Sequence, residues 1–505
     1  MKRLLPALCL STLALPAHAA CPGDCNNSGA VSFDDLVCAL FEFGTDTPAA
    51  DCDGSGLVDF ADLVCALFSF GECPSLVPVT MDGTFDDWAG IAPVATDPLG
   101  DASGAFDLTS VSVVSRGTTM YLRFDTNNIR NIQAGSSNDG TLILNVEGPQ
   151  GDVFIADLRN RSFVLNEVNP FVGNIGHADA SFYTLPTYAA DEFELTMDLS
   201  VVKAGPGDTV TITFGGADQL DTPIVHTLAD PADPPNTTTV DRPAGADFRI
   251  ANLNTLSRGL VDGARGPGLA RLIRGVDAEV YCFQEHWNGN ANEIRNAMAA
   301  SFADAGDGRE NPNNWNVAYE NGTAVATTLP FDVVNVPGSR ESGGVVTLPS
   351  GDRVFVLSIH LKCCGSIGSG EDIQRINAVT AYTNFFEAYL ADNPGVSLVV
   401  AGDWNLVGSR TPLDIMTGVE LGLAAARFEQ TAVRTTVTWR DAGSSFAPGR
   451  LDLLAYSEDA LEPLRAFTLD SEQLDAQTLA DLGIMSGDSL SSDHLMLVAD
   501  LRFID

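Results

Sequence analysis

Hydrophobic residues follow three different spacings along the chain. Near the N-terminus they recur at three- and four-residue intervals, which predicts two short amphipathic helices, one around 33–41 and one around 60–68. Between 77 and 240, short runs such as "DTVTITFGG" alternate apolar and polar residues and are separated by Gly, Asn and Asp, which predicts an antiparallel β-sandwich. From 245 to 505, continuous apolar runs such as "RVFVLSIHLK" predict buried strands.

The first 19 residues have the pattern of a secretory signal peptide. Lys2 and Arg3 precede an apolar stretch that ends in Ala17-His18-Ala19, a small-x-small cleavage signal. His18 stands where a lipoprotein signal has an aliphatic residue, which favours cleavage and release over a lipid anchor at Cys21. We therefore expect an extracellular or periplasmic protein, either free or attached to the cell surface, with no transmembrane segment in the mature chain.

Residues 21–73 contain a tandem repeat, "DCNNSGAVSFDDLVCALFEFG" followed by "DCDGSGLVDFADLVCALFSFG". In both copies, oxygen-bearing side chains occupy the positions at which a twelve-residue calcium loop has its ligands, and a glycine occupies the sharp turn at position 6. We expect these side chains to bind two Ca²⁺ ions: Asp24, Asn26, Ser28, Ser32 and Asp35, then Asp51, Asp53, Ser55, Asp59 and Asp62.

This repeat resembles a type I dockerin, which has a calcium loop and an exit helix in each copy. The resemblance implies docking to a cohesin-like protein or to the cell envelope. Six cysteines between Cys21 and Cys73 depart from the usual dockerin and indicate a disulfide framework, for which fifteen connectivities are open.

The alternating region at 77–240 is similar in character to extracellular modules related to family-9 carbohydrate-binding and DOMON domains, which implies a glycan as one ligand. Trp88, in "DGTFDDW", carries part of this resemblance, and we expect it in the core rather than on a sugar-binding surface. A Pro-rich linker is predicted over 229–245.

Six apolar runs after residue 245 deliver polar groups to their ends. Strand ends or strand entrances carry Asn254, Glu285, His360, Asp403 with Asn405, Asp452, and Asp493 with His494. Isolated groups of this kind are usually turn formers or helix caps, whereas six in one region indicate convergence on a single site.

The order and types of these residues resemble the endonuclease/exonuclease/phosphatase superfamily, which implies a four-layered α/β sandwich that hydrolyses phosphoesters. The resemblance implies Mg²⁺ or Mn²⁺ binding by Glu285, Asn254 and Asp493, and water positioning by Asp403 and Asn405. It makes His494 a general base or a phosphate-contacting acid that Asp452 orients. His360 matches the second histidine of the deoxyribonuclease, sphingomyelinase and inositol-phosphatase branches.

Arg375, on a predicted helix, and Arg340, in "PGSRESGG", are candidates for contact with a substrate phosphate. Cys363 and Cys364 directly follow the His360 strand. They are compatible with a vicinal disulfide or a loop clamp, or with a bond from one of them to Cys282.

Net charge limits the choice of substrate. With 67 acidic and 27 basic residues the formal charge is −40, which gives no electrostatic attraction toward nucleic acid. We expect a phosphodiesterase, with an extracellular nuclease as the first reading and a sphingomyelinase-like or inositol-phosphatase-like hydrolase as the second. A non-enzymatic envelope adhesion protein with an inactive domain is the third.

Overall fold

The structure is a computed structural model. It describes residues 79–229 and 240–504 with gaps at 105, 134–139, 168–172, 419–420 and 431–434. Before residue 79 it describes 25, 30–45, 47, 50, 52, 57–68 and 71–72. The described residues form two compact units, one before residue 79 and one that combines 79–228 with the residues from 240 onward. No helix among the described residues is both long enough and apolar enough to cross a bilayer.

The N-terminal unit has the two predicted helices, α1 (Phe33–Phe41) and α2 (Phe60–Phe68), and a short antiparallel pair, β1 (Ala30–Val31) with β2 (Gly71–Glu72). Two disulfides, Cys25–Cys38 and Cys52–Cys65, have the same separation of 13 residues. Each joins a residue that precedes a helix to the middle of that helix, so both copies of the repeat have the same internal bond.

The loop ends of the predicted calcium sites are partly described. Asp35 and Asp62 are fully buried at the starts of the two helices, and each accepts a hydrogen bond from the backbone three residues earlier, at Ser32 (2.8 Å) and Asp59 (2.7 Å). The other predicted ligands lie outside the described residues: Asp24, Asn26, Ser28, Asp51, Asp53 and Ser55.

The middle of the chain folds as two antiparallel sheets that share one core. Its strands are β3 (Ala95–Thr96), β4 (Leu108–Arg116), β5 (Thr119–Arg130), β6 (Leu142–Glu147), β7 (Val153–Asp157), β8 (Ser162–Asn166), β9 (Gly173–Ile175), β10 (Tyr183–Leu185), β11 (Ala190–Asp198), β12 (Thr209–Gly216) and β13 (Ile224–Thr227). One sheet has the order β10-β11-β5-β4-β3 and the other β13-β12-β6-β7-β8-β9. Alternate residues such as Leu122 and Phe124 point into the shared core because side chains on a strand alternate between its faces.

Trp88 is a core residue of this sandwich region. It is 2% exposed, packs with Met81 and Val437, and donates a hydrogen bond from Nε1 to Glu194 (3.1 Å). The expectation of a core position is therefore confirmed, and this indole is not available as a sugar platform.

The C-terminal region contains two further sheets. Its strands are β14 (Phe248–Asn254), β15 (Val280–Gln284), β16 (Asn316–Glu320), β17 (Thr323–Thr327), β18 (Phe331–Val334), β19 (Glu341–Thr347), β20 (Arg353–His360), β21 (Val396–Asp403), β22 (Leu423–Ala425), β23 (Glu429–Gln430), β24 (Asp452–Ser457), β25 (Leu461–Leu469) and β26 (Met496–Phe503). The spatial orders are β16-β17-β15-β14-β26-β25-β23 and β18-β19-β20-β21-β24-β22.

These two sheets pack face to face with helices outside them. Phe248 and Val280 of the first sheet share a core with Val356 and Val399 of the second. The helices are α3 (Gly266–Val276), α4 (Ala291–Ser301), α5 (Gly370–Asp392), α6 (Thr411–Met416) and α7 (Ala476–Leu482). The first sheet's outer face packs against α3, α4 and part of α7, and the second sheet's against α5 and α6, so the region has mixed α/β layers.

The sandwich region and the C-terminal region form one compact unit with separate cores. Asn131 donates from Nδ2 to the carbonyl of Val407 (2.9 Å) and accepts at Oδ1 from the amide of Ile367 (2.8 Å). Thr187 donates to the carbonyl of Leu406 (2.9 Å). The sandwich thus holds the loops that follow β20 and β21.

Candidate active site

Strand directions bring the predicted site residues to one edge of the paired sheets. β14 runs parallel to β15, and β20 runs parallel to β21, so the carboxyl ends of each pair lie side by side. β24 and β26 run antiparallel to β21 and β14, so their amino ends meet those carboxyl ends. Residues that follow β14, β15, β20 and β21 therefore meet residues that open β24 and β26.

His494 and Asp452 form a buried pair at this edge. Nδ1 of His494 lies 2.7 Å from Oδ2 of Asp452, and the two residues are 5% and 1% exposed. Burial disfavours the imidazolium, but the charge and hydrogen bond of Asp452 outweigh burial and raise the pKa of His494 to about 10. His494 is therefore a cation at neutral pH, with Nε2 free to face the site.

Asp403 lies between the two histidines. Its Oδ2 accepts a hydrogen bond from Asn254 Nδ2 (3.1 Å) and lies 3.4 Å from His360 Nε2 and 3.9 Å from His494 Nε2. Its Oδ1 accepts from the amide of Asn405 (3.1 Å). Burial raises the pKa of Asp403, while the charge of His494 opposes that rise. A buried carboxylate with a raised pKa can accept a proton close to neutral pH.

His360 differs from His494 in charge. It is 6% exposed, and burial together with the positive charges of Arg340 and His494 lowers the pKa of His360 to about 3. The imidazole is neutral at physiological pH, so it can donate or accept a hydrogen bond but cannot act as an acid there.

The three residues predicted to hold a metal offer oxygen ligands. Asn254 is fully buried, and its Oδ1 accepts one hydrogen bond, from the amide of Leu256 (3.0 Å). Glu285 has φ +60, and its Oε2 accepts one hydrogen bond, from the amide of Ser257 (3.1 Å). Oδ1 of Asp493 is buried and has no hydrogen-bond partner. Two carboxylates and an amide oxygen, one of them unsatisfied, fit a hard divalent cation such as Mg²⁺.

Two positioning groups behind the site were not found from the sequence. Trp439 forms a β-bridge with His494 and donates from Nε1 to Oδ2 of Asp493 (3.0 Å). Thr438 accepts the backbone amide of Asp452 (2.9 Å). Both residues lie in the run "TTVTW" at 435–439. The run alternates like an ordinary strand, and the residues that it contacts are distant in the sequence, so the sequence does not reveal its role at the site.

A third side chain that the sequence did not reveal stands beside His360. The ring of Trp287 lies 5.2 Å from the imidazole of His360, and the guanidinium of Arg340 lies 5.0 Å from the centre of the indole. Gly322 makes room for this ring, since a Cβ there would come within 2.4 Å of it. Arg340 thus lies against the ring that stands beside His360, and its contact with substrate stays a prediction.

Arg375 does not reach the site, and the prediction that it contacts substrate is corrected. Its side chain is fully buried on α5 and donates to the carbonyls of Lys362 (2.6 Å) and Cys364 (2.9 Å). It also pairs with Asp372. Arg375 therefore holds the loop that follows His360, and its guanidinium is bound by groups of the protein rather than exposed to a substrate.

The cysteines near the site are all free thiols. Cys282 is buried in the core between the sheets, so the considered bond from Cys282 to Cys363 or Cys364 is absent. Cys363 and Cys364 are adjacent and not joined by a disulfide.

The C-terminal region is similar in sequence to one protein family. Residues 251–494 match the sequence profile of the Endonuclease/Exonuclease/phosphatase family. No curated protein matches the sequence.

Three solved structures are each similar to about half of this chain. The human Nocturnin catalytic domain is 16% identical, covers 52% of this chain and 97% of its own, and has a TM-score of 0.35. TDP2 from C. elegans is 18% identical over 51% of this chain and 75% of its own, with a TM-score of 0.34. The 3'-5' exonuclease NExo from Neisseria meningitidis is 15% identical over 50% of this chain and 99% of its own, with a TM-score of 0.36.

The match of the family profile spans the strands from β14 to the entrance of β26, and it includes every residue that the sheet directions bring to the edge described above. Residues 251–494 therefore form a domain of the endonuclease/exonuclease/phosphatase family.

Proposed function

We propose that this protein is a secreted, divalent-metal-dependent phosphodiesterase that cleaves nucleic acid. The observation that carries the proposal is the buried His494–Asp452 pair, with Nε2 of His494 3.9 Å from the carboxylate of Asp403. The signal-like segment at residues 1–19 supports export.

The chain's own residues supply the proton chemistry. Asp403 and Asn405 orient the attacking water, and Asp403 takes up its proton because its pKa is raised. The cationic His494, held by Asp452, donates a hydrogen bond to the phosphate as negative charge develops there. His360 is neutral and contributes a hydrogen bond from the opposite side.

A divalent cation belongs to the same proposal. Glu285, Asn254 and Asp493 would hold Mg²⁺, or Mn²⁺ in its place, because hard cations prefer oxygen ligands. When bound, the cation neutralises charge on the phosphodiester and on the atoms that receive charge in the transition state.

The side chains of Trp287 and Arg340, which lie together beside His360, favour a nucleic acid over an inositol phosphate as the substrate. A flat indole beside His360 can stack on a nucleobase, which an inositol ring lacks. The overall charge of −40 weakens attraction to a long polyanion, so the proposed substrates are short or single-stranded nucleic acids rather than duplex DNA.

A substrate panel tests this proposal. The full-length protein is assayed on single-stranded DNA, RNA, sphingomyelin and inositol phosphates, with Mg²⁺ and with EDTA. The His494→Ala variant, purified identically, controls for contaminating nucleases. Metal-dependent cleavage of DNA or RNA that the variant lacks is expected. If sphingomyelin or an inositol phosphate is hydrolysed faster than nucleic acid, the protein is a hydrolase of that substrate and not a nuclease. Inactivity on every substrate would favour the non-enzymatic adhesion protein.

We further propose that the N-terminal unit is a calcium-dependent docking module of the dockerin type. The apolar faces of α1 and α2 line a groove of about 270 Å³ to which both copies contribute equivalent residues: Phe33, Leu36, Val37, Leu40, Phe60, Leu63, Val64 and Leu67. Phe33 and Phe60 are 70% and 71% exposed, which suits a protein partner such as a cohesin-like domain.

Calcium calorimetry tests the module. We expect the double variant Asp35→Asn/Asp62→Asn of the full chain to lose two Ca²⁺ equivalents relative to wild type. Unchanged stoichiometry would contradict the calcium sites, because these buried carboxylates occupy the last position of each loop.

A further inference from the structure

The sandwich region contains a cluster of carboxylates that the phosphodiesterase site does not use. Asp97 follows β3 of one sheet, Asp218 follows β12 of the other sheet, and Asp101 stands in the loop between β3 and β4. One carboxylate oxygen from each lies within 4.8 Å of the others. The cluster therefore contains residues next to both sheets and lies at one end of the sandwich.

Asp97 is the member that points to a ligand. It is 8% exposed, and both of its carboxylate oxygens are buried without a hydrogen-bond partner. An ionised carboxylate in this situation has lost its water and gained nothing from the protein, which is costly unless a cation or a proton compensates.

The surrounding acids are, by contrast, held in place by the backbone. Asp218 accepts the amides of Leu108 (2.6 Å) and Gln219 (2.8 Å). Asp107, nearby in the same loop, accepts the amide of Gly100 (2.9 Å). Among the described residues no basic side chain forms an ion pair with Asp97, Asp101 or Asp218. Three negative groups, of which the backbone holds Asp218, thus lie together without a basic ion-pair partner among the described residues.

We propose that Asp97, Asp101 and Asp218 bind one Ca²⁺ ion. The ligands are all hard oxygens from three separate segments, and Asp101 is exposed enough to leave room for water ligands. Such a mixed set suits Ca²⁺, which accepts six to eight oxygens in flexible geometry, better than Mg²⁺, which requires a near-ideal octahedron.

The ion would attach the loop from 97 to 107 to the rest of the sandwich region. The loop from 97 to 107 touches the end of β12 through Ser103, whose amide and hydroxyl both donate to the carbonyl of Ala217 (2.7 and 2.9 Å). A bound cation adds a second attachment, next to Asp218. Its loss should therefore free this loop while leaving the phosphodiesterase site in place.

The experiment uses the full chain, because calcium is also proposed for the N-terminal loops. Calcium-free wild type and Asp97→Asn are titrated with CaCl₂ alone, and bound calcium is counted. Asp97→Asn is the clean variant, since neither carboxylate oxygen of Asp97 accepts a hydrogen bond that the substitution would break. Asp191→Asn removes an exposed charge of the same region and serves as the matched control.

We expect Asp97→Asn to bind one Ca²⁺ fewer than wild type and Asp191→Asn to bind the same number. Hydrogen exchange of the backbone amides at 99–104 should slow on addition of calcium in wild type but not in Asp97→Asn. Equal stoichiometry and equal exchange in wild type and Asp97→Asn would overturn the proposal.

A second variant covers the case in which Asp97→Asn does not fold. Asp101→Asn changes an exposed residue and should weaken this site, again without effect on the N-terminal sites. If calcium binds to Asp101→Asn as it does to wild type at every concentration, the cluster is not a calcium site. Neither outcome depends on whether the protein is a nuclease.

Discussion

Two regions of this molecule bury several carboxylates together, and they differ in whether those carboxylates have side-chain partners. At the strand ends of the family domain, Asp452 holds His494 and Asp403 is held by Asn254. At the end of the sandwich, Asp97 has no partner. Buried charge needs compensation in both places. In the first region, side chains compensate Asp452 and Asp403 and so can organise proton chemistry. In the second region neither carboxylate oxygen of Asp97 has a hydrogen-bond partner, which is why we propose a cation there.

Loss of the His494–Asp452 pair should lower turnover more than any other change considered for the first region. We expect His494→Ala to lower turnover by about 10²–10³-fold, the usual loss when one donor that stabilises charge in the transition state is removed. Asp452→Asn should also be strongly impaired because an amide cannot stabilise the imidazolium. The two losses should not add, since the residues act as one unit.

The measurement is turnover and thermal midpoint for both single variants and for the double variant. The thermal midpoint of His494→Ala should fall, because the substitution leaves the buried Asp452 without its partner, so turnover is measured well below that midpoint. Wild-type turnover in His494→Ala would remove the catalytic role of this residue.

The second prediction concerns the oxygen ligands of the family domain. Glu285→Gln should weaken the affinity for Mg²⁺ and lower activity with it, because an amide oxygen attracts a divalent cation less than a carboxylate does. Rates of bis-nitrophenyl phosphate hydrolysis over a Mg²⁺ titration measure both effects. Glu320→Gln, at an exposed strand end, is the matched control. A Mg²⁺ dependence in Glu285→Gln equal to that of the control would exclude Glu285 as a ligand.

The third prediction compares the two histidines. His360→Asn should lower turnover by only about tenfold, the value of one neutral hydrogen bond. The pH profile of kcat/KM between pH 5 and 9 should keep its shape, because a group with a pKa of about 3 stays neutral across that range. A changed profile in His360→Asn would show that His360 titrates during turnover.

Several of these residues could be predicted from the sequence because strand ends are local features. A continuous apolar run predicts a buried strand, and the polar residue that ends it follows from the run itself, as with His360 in "RVFVLSIHLK". The pairing that brings six such ends together is not local: their number indicates a single site, and only the resemblance to a family assigns each residue a role in it. The sheet registers supply the physical reason, since parallel and antiparallel neighbours present opposite chain ends at one edge.

Other residues depend on contacts that sequence patterns do not carry. Arg375 lies on a long helix with a weak apolar face, so its burial could not be read from periodicity. Trp439 reaches Asp493 across 54 residues of sequence. Asp97 looks like one more surface acid in a chain with 67 acidic residues, and only the fold shows that it is buried without a partner.

The smallest expected effect tests whether the sandwich region supports the family domain. Asn131 is 5% exposed and joins the loops after β20 and β21 through the carbonyls of Val407 and Gly408 and the amide of Ile367. Asn131→Ala leaves these three groups without their partner. We expect a loss of about 1–3 kcal/mol in the free energy of unfolding and a fall in turnover of only a few-fold.

The loss in turnover should come from less precise placement of Asn405, which precedes Val407 by two residues, rather than from a change in any reacting group. Asn131→Ala should therefore keep the pH profile and the Mg²⁺ dependence of wild type while its kcat falls. Asn128→Ala, at an exposed position near the end of β5, the strand that Asn131 follows, is the control and should match wild type in both stability and turnover. If Asn131→Ala is as stable and as active as Asn128→Ala, the sandwich does not position the loops of the site, and the two regions are joined without functional consequence.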